Sequence, residues 1–276
     1  MRFRPRKVWP FFLFSLFLII AGVATWPLAL NMAQSVPMPE YIHDRPWIHM
    51  LWSNLWWLWH MQFSWFELHT LSVNTDMIFP PVGIDSLIYF FQNLLPAVFF
   101  VPLFVLVSQV IPAGNLLLLL FLAGCGFSVY YLAEYVLEQR RAAFISGMAY
   151  MLCSPVMSNA QGHLAVIVSL PLLPLFILML LKTIHNGRKI HILLLSVMSL
   201  LLLSIYWYFM VFCMLFSTVY IVCAVRKPVA LFRVAAAASL ALLAASPLLI
   251  LIIFGSHQTL EARLDDLIKW SVDLVA

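Results

Sequence analysis

The chain has 276 residues, of which 64% are hydrophobic and 9% charged, and its mean hydropathy is +1.00. Such a composition excludes a water-soluble globular domain, because so few polar residues could not cover its surface. Several apolar runs are continuous, rich in Leu and Phe, and long enough to cross a hydrocarbon core of about 30 Å. The predicted fold class is therefore all-α, a polytopic membrane helix bundle of about seven transmembrane helices rather than a β-barrel with alternating strands.

The distribution of charges says more than the net charge of +4. Twelve of the fifteen Lys and Arg residues lie in four clusters: Arg2/Arg4/Arg6/Lys7, Arg140/Arg141, Lys182/Arg188/Lys189 and Arg226/Lys227/Arg233. Nine of the eleven acidic residues lie elsewhere, in residues 40–85 and 261–273. Because basic loops stay in the cytoplasm, the four clusters are predicted to be cytoplasmic and residues 31–85 to lie outside.

The first apolar run covers residues 8–30 and follows the first basic cluster. It is longer than the core of a cleaved signal peptide and has no clear small-residue cleavage site. We therefore predict an uncleaved signal anchor whose N-terminus is cytoplasmic. An outer region, residues 31–112, comes next.

A tryptophan-rich helix is predicted in this outer region, at residues 46–63. Its apolar side chains recur every fourth residue, at Trp47, Leu51, Leu55, Trp59 and Phe63, and Ile48, Trp52 and Trp56 widen that face. His49, Ser53 and His60 form a narrow polar stripe. The pattern is typical of a helix that lies in the membrane interface, where tryptophan side chains act as anchors.

Asp44 has two interpretations. It is followed by Arg45 and Pro46, which makes it a good N-cap for the predicted helix. A carboxylate held at the membrane boundary can also reach a lipid headgroup and a water-borne substrate. The two roles are compatible, because one carboxylate oxygen can cap while the other stays available.

Two further candidates are predicted on the same face as Asp44. Asp76 lies in a turn-rich acidic element, residues 74–83, and is either a turn residue or part of a site. His163 follows Gln161 and Gly162, and either begins the helix predicted at 164–181 or belongs to the site.

The remaining crossings follow from the positions of the basic clusters. Residues 86–110 are interrupted by Gln92, Asn93, Pro96 and Pro102, and a crossing there would invert every later cluster. They are therefore predicted to form a re-entrant or surface-lying hairpin. The predicted bundle, residues 113–254, has spans at 113–136, 142–158, 164–181 and 231–254, and two short helices within 190–225 that turn near residues 206–208. Residues 255–276 are predicted outside.

Several short motifs resemble the GT-C superfamily of membrane glycosyltransferases, which includes protein mannosyltransferases and aminoarabinose transferases. They are Asp44 soon after the first span, Phe79-Pro-Pro-Val-Gly83, Tyr131–Ala143, Ala149–Pro155, Gly162-His163 and Ser204–Tyr208. The familiar acidic pair is reduced here to Asp44 with Glu40 before it. The last residues read like the middle of an outer loop, the pattern of a truncated or uncharacterised bacterial member.

The resemblance implies an inverting transfer of a sugar from a polyprenyl-phosphate donor to an acceptor outside the inner membrane of a bacterium. Asp44 would be the catalytic base. The residues implied in substrate binding are Glu40, His43, Arg45, Asp76 and His163, with Arg45 facing the lipid phosphate. Asp44 and Asp76 would hold a divalent cation, Mg or Mn, and no other cofactor is expected. The expected partners are the donor lipid and membrane lipids, and no nucleic-acid-binding patch is found.

Two alternatives remain at this stage. The first is a lipid or glycan flippase-like transporter. Glu134, an acidic residue within the apolar runs, lies close to a basic end, which counts against ion-coupled transport. The second is a non-catalytic scaffold subunit. A cavity lined by Asp44, Asp76 and His163 would favour the enzyme over the scaffold.

Overall fold

The computed structural model describes residues 9–37, 48–71, 74–75, 77, 84–85, 87–225 and 227–255. Within these ranges the chain forms eleven α-helices: α1 Trp9–Ala24, α2 Ile48–Phe66, α3 Leu87–Val107, α4 Val110–Leu137, α5 Arg140–Met151, α6 Ser154–Ala160, α7 Leu164–Ser169, α8 Leu172–Asn186, α9 Lys189–Ile205, α10 Trp207–Ala224 and α11 Pro228–Gly255. A 3-10 turn covers Leu28–Leu30. Strands β1 (Asn74–Thr75) and β2 (Ile84–Asp85) form a small antiparallel ladder, in which Asn74 pairs with Asp85.

Five segments of the described chain are long and apolar enough to cross a membrane: Tyr89–Val107, Val110–Leu137, Leu164–Asn186, Trp207–Ala224 and Pro228–Pro247. Two shorter apolar helices are Trp9–Ala24 and Lys189–Ile205. The all-helical fold class is thus confirmed, and five such helices indicate a membrane-embedded protein. The count of about seven crossings stays a prediction.

The predicted hairpin at 86–110 is wrong, because one continuous helix, α3, occupies Leu87–Val107 and contains both Pro96 and Pro102. α3 packs against α2, α4 and α9. In an apolar helix that contacts its neighbours, packing and local adjustments compensate for the hydrogen bonds that proline removes. The interruptions in the sequence therefore mark irregular positions in a helix and not the turn of a hairpin.

α4 runs antiparallel to α1 at the centre of the bundle. In its second turn, Asn115 Nδ2 donates hydrogen bonds to the carbonyls of Met32 and Ser35, which follow α1. Beyond its other end, the guanidinium of Arg140 lies over the Trp9 ring, 5.6 Å from its centroid, at the start of α1. The two helices therefore extend side by side over the length of the bundle.

Two glycines allow α4 and α5 to approach closely. A Cβ added to Gly147 of α5 would lie 2.5 Å from the carbonyl oxygen of Gly126 in α4. The Phe17 ring of α1 fills the space beside both glycines and is fully buried. Small residues at helix contacts are the usual means of close packing between membrane helices, where no hydrophobic effect pulls the helices together.

The described members of the basic clusters gather at one end of the bundle, which we call the basic end. Tyr135, near the end of α4, donates or accepts a hydrogen bond of 3.0 Å with His185 of α8. Lys182 Nζ lies 5.7 Å from the centroid of the Tyr135 ring. Arg233 of α11 packs against Gly187, which ends α8. The predicted grouping of these clusters is thus seen in the fold, whereas the side of the membrane that they face stays a prediction.

The predicted turns of the bundle are also found. Residues 161–163 separate α6 from α7, and Tyr206 alone separates α9 from α10. Each predicted helix in 142–181 is broken once more, after Met151 and after Ser169. Pro155 in the first turn of α6 and Pro171 before α8 occupy these breaks, as expected of a residue whose nitrogen cannot donate a hydrogen bond.

Gly147→Ala is predicted to destabilise the bundle by about 1–3 kcal/mol, because the added methyl group meets backbone that cannot rotate away. Gly22→Ala is the matched control, since a Cβ at Gly22 meets nothing within 4 Å. The control should be neutral or slightly stabilising, by up to about 1 kcal/mol. Unfolding midpoints of the purified proteins in detergent measure both effects, and equal midpoints would contradict the close approach.

Candidate functional site

Most of the predicted site residues lie outside the part of the chain that the structure describes. They are Glu40, His43, Asp44, Arg45 and Asp76. α2 is described from Ile48 onward, so the helix start predicted at residue 46 and the cap by Asp44 both lie outside the described residues. Among the predicted site residues, His163 is the one that the structure places.

A cavity of about 300 Å³ lies at the end of the bundle opposite the basic end. We call it the loop cavity, because it lies between the loop after α1 and the α6 helix. Its lining residues are Ala24, Thr25, Trp26, Pro27, Leu28, Asn31, Ser35, Val36, Pro37, Met157, Ala160 and Gln161. Pro37 is the last described residue before the segment that carries Asp44.

Asn115 holds the loop side of this cavity in place. Its side chain is 3% exposed, and its Nδ2 atom donates to the Met32 carbonyl at 2.8 Å and to the Ser35 carbonyl at 2.7 Å. Both protons of one buried amide thus satisfy backbone acceptors in a loop without regular structure. The loop that forms this side of the cavity is therefore tied at Met32 and Ser35 to the second turn of α4.

His163 lies next to the loop cavity without lining it. It is the N-cap residue of α7, and its backbone N–H donates to the Asn159 carbonyl at 2.8 Å. Its side chain makes no capping hydrogen bond. Burial lowers the pKa of the His163 imidazole below the ordinary value of 6.5, so the neutral form is favoured near pH 7. Gln161, two residues earlier, contributes to the wall.

α2 docks onto the same region. The Asn54 side-chain oxygen accepts a hydrogen bond from the Ala165 backbone N–H at 3.3 Å. Ala165 is in the first turn of α7, where the backbone N–H groups have no acceptor within the helix. Asn54 therefore caps α7 from a different helix and places α2 beside His163.

The polar stripe predicted at His49, Ser53 and His60 does not face solvent throughout, because His60 is 2% exposed whereas Ser53 is exposed. The His60 ring stacks on Trp56, with ring centroids 4.9 Å apart, and meets the edge of Trp57. Trp57 stacks in turn on Tyr89 of α3 at 5.0 Å. These four side chains, the aromatic cluster, join α2 to α3.

The sequence contained a signal for this cluster. Trp56 and His60 are four residues apart, so they lie on one face of a helix and their rings can stack. Burial lowers the pKa of His60 below 6.5, which favours the uncharged imidazole between aromatic rings. Sequence periodicity did not identify the packed face, because apolar residues occur almost all round the helix.

The described part of the chain does not test the predicted binding of a divalent cation. In those ranges no group of three or more His, Cys, Asp or Glu side chains could hold a metal ion. Asp44 and Asp76, the predicted ligands, lie outside them.

Taken together, these observations define an all-helical, membrane-embedded protein with a neutral cavity at one end of its bundle and its basic clusters at the other. No protein-family model, no curated protein and no solved structure matched the chain.

Asn115→Asp is predicted to loosen the loop cavity. The carboxylate has almost the same shape but cannot donate, so it faces two carbonyl oxygens and leaves them unsatisfied, at a cost of about 1–3 kcal/mol each. Limited proteolysis should then cut within residues 25–37, and the unfolding midpoint should fall.

The control for this prediction is Asn159→Asp. The half-buried Asn159 side chain donates to the Pro155 carbonyl, four residues earlier in its own helix. This variant should stay within about 0.5 kcal/mol of the parent. Equal proteolysis of the two variants would contradict the role of Asn115.

Acid is predicted to destabilise the protein through His60. The pKa of His60 is lower in the folded than in the unfolded chain, so the unfolded chain binds the proton more readily. The free energy of unfolding therefore keeps its full contribution from neutral His60 above pH 6.5 and decreases as the pH falls below that value. His60→Phe keeps an aromatic ring but cannot be protonated. Its unfolding midpoint should therefore depend less on pH between 5 and 7 than that of the parent, and equal slopes for the two proteins would contradict the prediction.

Proposed function

We propose that the chain is a membrane glycosyltransferase that transfers a sugar from a polyprenyl-phosphate donor to an acceptor on the extracytoplasmic face. One observation carries most of the support. The loop cavity is at the end opposite the basic clusters, and Pro37 in its wall leads directly into the segment with Glu40, His43, Asp44 and Arg45. The residues proposed for catalysis and donor binding are thus close in sequence to the wall of the loop cavity.

The proposed orientation follows from charge. Clusters of Lys and Arg next to membrane helices are retained in the cytoplasm, which assigns the basic end to that side. The loop cavity, α2 and His163 are then extracytoplasmic. In a bacterial inner membrane this is the face that a lipid-linked sugar and a cell-envelope acceptor both reach.

The lining of the loop cavity suits a neutral, hydroxyl-bearing ligand. Its volume of about 300 Å³ is at the lower end of the range for small-molecule sites. The described lining combines an exposed indole, Trp26, with the amides of Asn31 and Gln161, and contains no charged side chain. An aromatic face and a few polar side chains can orient a sugar or another polyhydroxylated group.

In the proposed reaction, Asp44 takes the proton from the acceptor hydroxyl as its oxygen attacks the anomeric carbon of the sugar. The bond between that carbon and the phosphate oxygen breaks, and polyprenyl phosphate leaves with both electrons. Attack from the opposite side inverts the anomeric centre. Arg45 would face the phosphate, where a guanidinium stabilises the developing charge. Asp76 and His163 would orient the acceptor, and carboxylates at Asp44 and Asp76 are ligands that Mg or Mn prefers.

An ion-coupled transporter is less well supported. The charged side chains in the described membrane-spanning segments are Glu134, Lys182 and Arg233, and all three are at the basic end. Transporters place ionisable residues near the bilayer midplane, where they are costly and are kept for function.

Asp44→Asn is predicted to reduce sugar transfer by about 10²–10⁴-fold, the usual contribution of a general base. Membranes that contain the protein are supplied with a set of polyprenyl-phosphate monosaccharides, and the release of polyprenyl phosphate is measured. This product is the same for every acceptor, so the acceptor need not be known.

Glu67→Gln is the matched control, because it also converts a carboxylate to an amide at an exposed position just after α2. It should keep the parental rate. If Asp44→Asn also keeps that rate while folded, Asp44 is not the base. If the parental protein consumes no donor, the glycosyltransferase proposal fails and the flippase-like or scaffold function takes its place.

A further inference from the structure

A second cavity, the α1 groove, lies at the basic end between α1, α4 and α5. Its volume is about 450 Å³, and its walls are almost entirely apolar, with Leu13 and Phe144 among them. Phe12 and Ile145, which also line it, are 61% and 63% exposed on the outer surface of the bundle. The groove is therefore continuous with the surface that contacts lipid.

Two buried hydrogen-bond donors line this groove without an acceptor. The indole Nε1 of Trp9 and the hydroxyl of Tyr130 are both inaccessible to solvent and form no hydrogen bond with any described residue. Trp9 Nε1, the Tyr130 hydroxyl and the Glu134 carboxylate lie close together, but none of the contacts among them has the geometry of a hydrogen bond. A buried donor without an acceptor costs about 1–3 kcal/mol, so such groups normally have a partner.

Two arginines lie at the mouth of the groove. Arg140 is held over the Trp9 ring, and its Nε atom donates to Glu134 Oε1 at 3.1 Å. Arg141 is exposed and forms no ion pair with another residue in the described ranges. Within the described ranges Glu134 pairs with Arg140 alone, so the Arg141 guanidinium at the mouth of the groove keeps its positive charge unpaired.

We propose that the α1 groove binds the phosphate headgroup of an anionic membrane phospholipid. The phosphate oxygens accept hydrogen bonds from Trp9 Nε1 and from the Tyr130 hydroxyl, and Arg141 neutralises the charge. An acyl chain follows the apolar wall past Leu13 and Phe144. Basic pockets between membrane helices are known to accommodate such headgroups.

A lipid fits the groove better than a soluble anion does. An inorganic phosphate would leave the apolar walls and the exposed Phe12 and Ile145 uncovered. The charge also discriminates between headgroups. A zwitterionic headgroup would bring its ammonium group toward Arg140 and Arg141, whereas phosphatidylglycerol has a net negative charge and no cation.

The test measures lipid binding to the full chain by native mass spectrometry, after delipidation in detergent. The probes are phosphatidylglycerol and phosphatidylcholine with the same acyl chains. The parental protein is expected to bind phosphatidylglycerol at least about fivefold more tightly, the effect of one unpaired basic residue near the headgroup. Equal binding of the two lipids would overturn the proposal.

Removal of the two hydrogen-bond donors tests whether they contact the phosphate. The double variant Trp9→Phe/Tyr130→Phe keeps both rings and should bind phosphatidylglycerol about tenfold or more weakly, with little change for phosphatidylcholine. The control, Trp207→Phe/Tyr208→Phe, removes the same two groups at the other end of the bundle and should bind like the parent. If the two double variants bind alike, the donors do not contact the phosphate and the proposal is wrong.

Arg141→Gln separates this site from general attraction to a charged membrane. It should weaken phosphatidylglycerol binding about fivefold, whereas Arg188→Gln, which removes a charge from the same end but not from the groove, should not. Equal losses would show non-specific attraction to the basic end and would overturn the site. Each variant must elute as a single folded species in size-exclusion chromatography. If Trp9→Phe/Tyr130→Phe does not fold, the single variant Tyr130→Phe replaces it.

Discussion

The close approach of α4 to α5 at Gly126 and Gly147, with Phe17 beside both glycines, is the contact on which the rest of the structure depends. It fixes α1 against α4, so the two ends of this helix pair are also the two ends of the bundle. At one end, the loop that follows α1 is held by Asn115 and borders the loop cavity. At the other, the beginning of α1 closes the groove beside Tyr130. A change in the central contact would therefore alter both candidate sites together.

Polar side chains within the apolar helices are satisfied mainly inside their own helix. Ser169 donates to the Ala165 carbonyl and Ser199 to the Leu195 carbonyl, each four residues earlier. Ser196 is different, because it also donates to the Ala237 carbonyl and so links α9 to α11. Most of these polar groups thus form hydrogen bonds within their own helix. The Trp9 and Tyr130 donors do not, which is why we propose a ligand for them.

The sequence predicted the features that depend on the positions of charged residues and on the lengths of the apolar runs. The grouping of Arg140, Lys182 and Arg233 at one end and the turn at Tyr206 follow from the cost of moving charge and open backbone into lipid. It did not predict that α3 continues through Pro96 and Pro102, because the neighbouring helices that pack against α3 are not visible in a local pattern. The burial of His60 was missed for a similar reason, since periodicity shows a face but not its partner. For the candidate site, the sequence predicted the carboxylates, which lie outside the described residues, whereas the loop cavity depends on packing between α6 and the loop after α1.

The two ends of the bundle differ in the chemistry they offer, and this difference separates the two proposals. The described lining of the loop cavity has an exposed indole and amides and no charged side chain, which suits hydroxyl groups, and in the proposed reaction the base is Asp44 of the segment that follows Pro37. The α1 groove has donors and guanidinium groups, and among the described residues its one carboxylate, Glu134, is paired with Arg140, which suits binding and not turnover. If the groove holds a phospholipid, that lipid fills the space where the first helix meets α4 and α5. The lipid would then stabilise the packing of α1 against α4, which positions the loop cavity at the other end. Loss of the lipid would lower the rate of the proposed sugar transfer by destabilising the fold, and not by removing a reacting group.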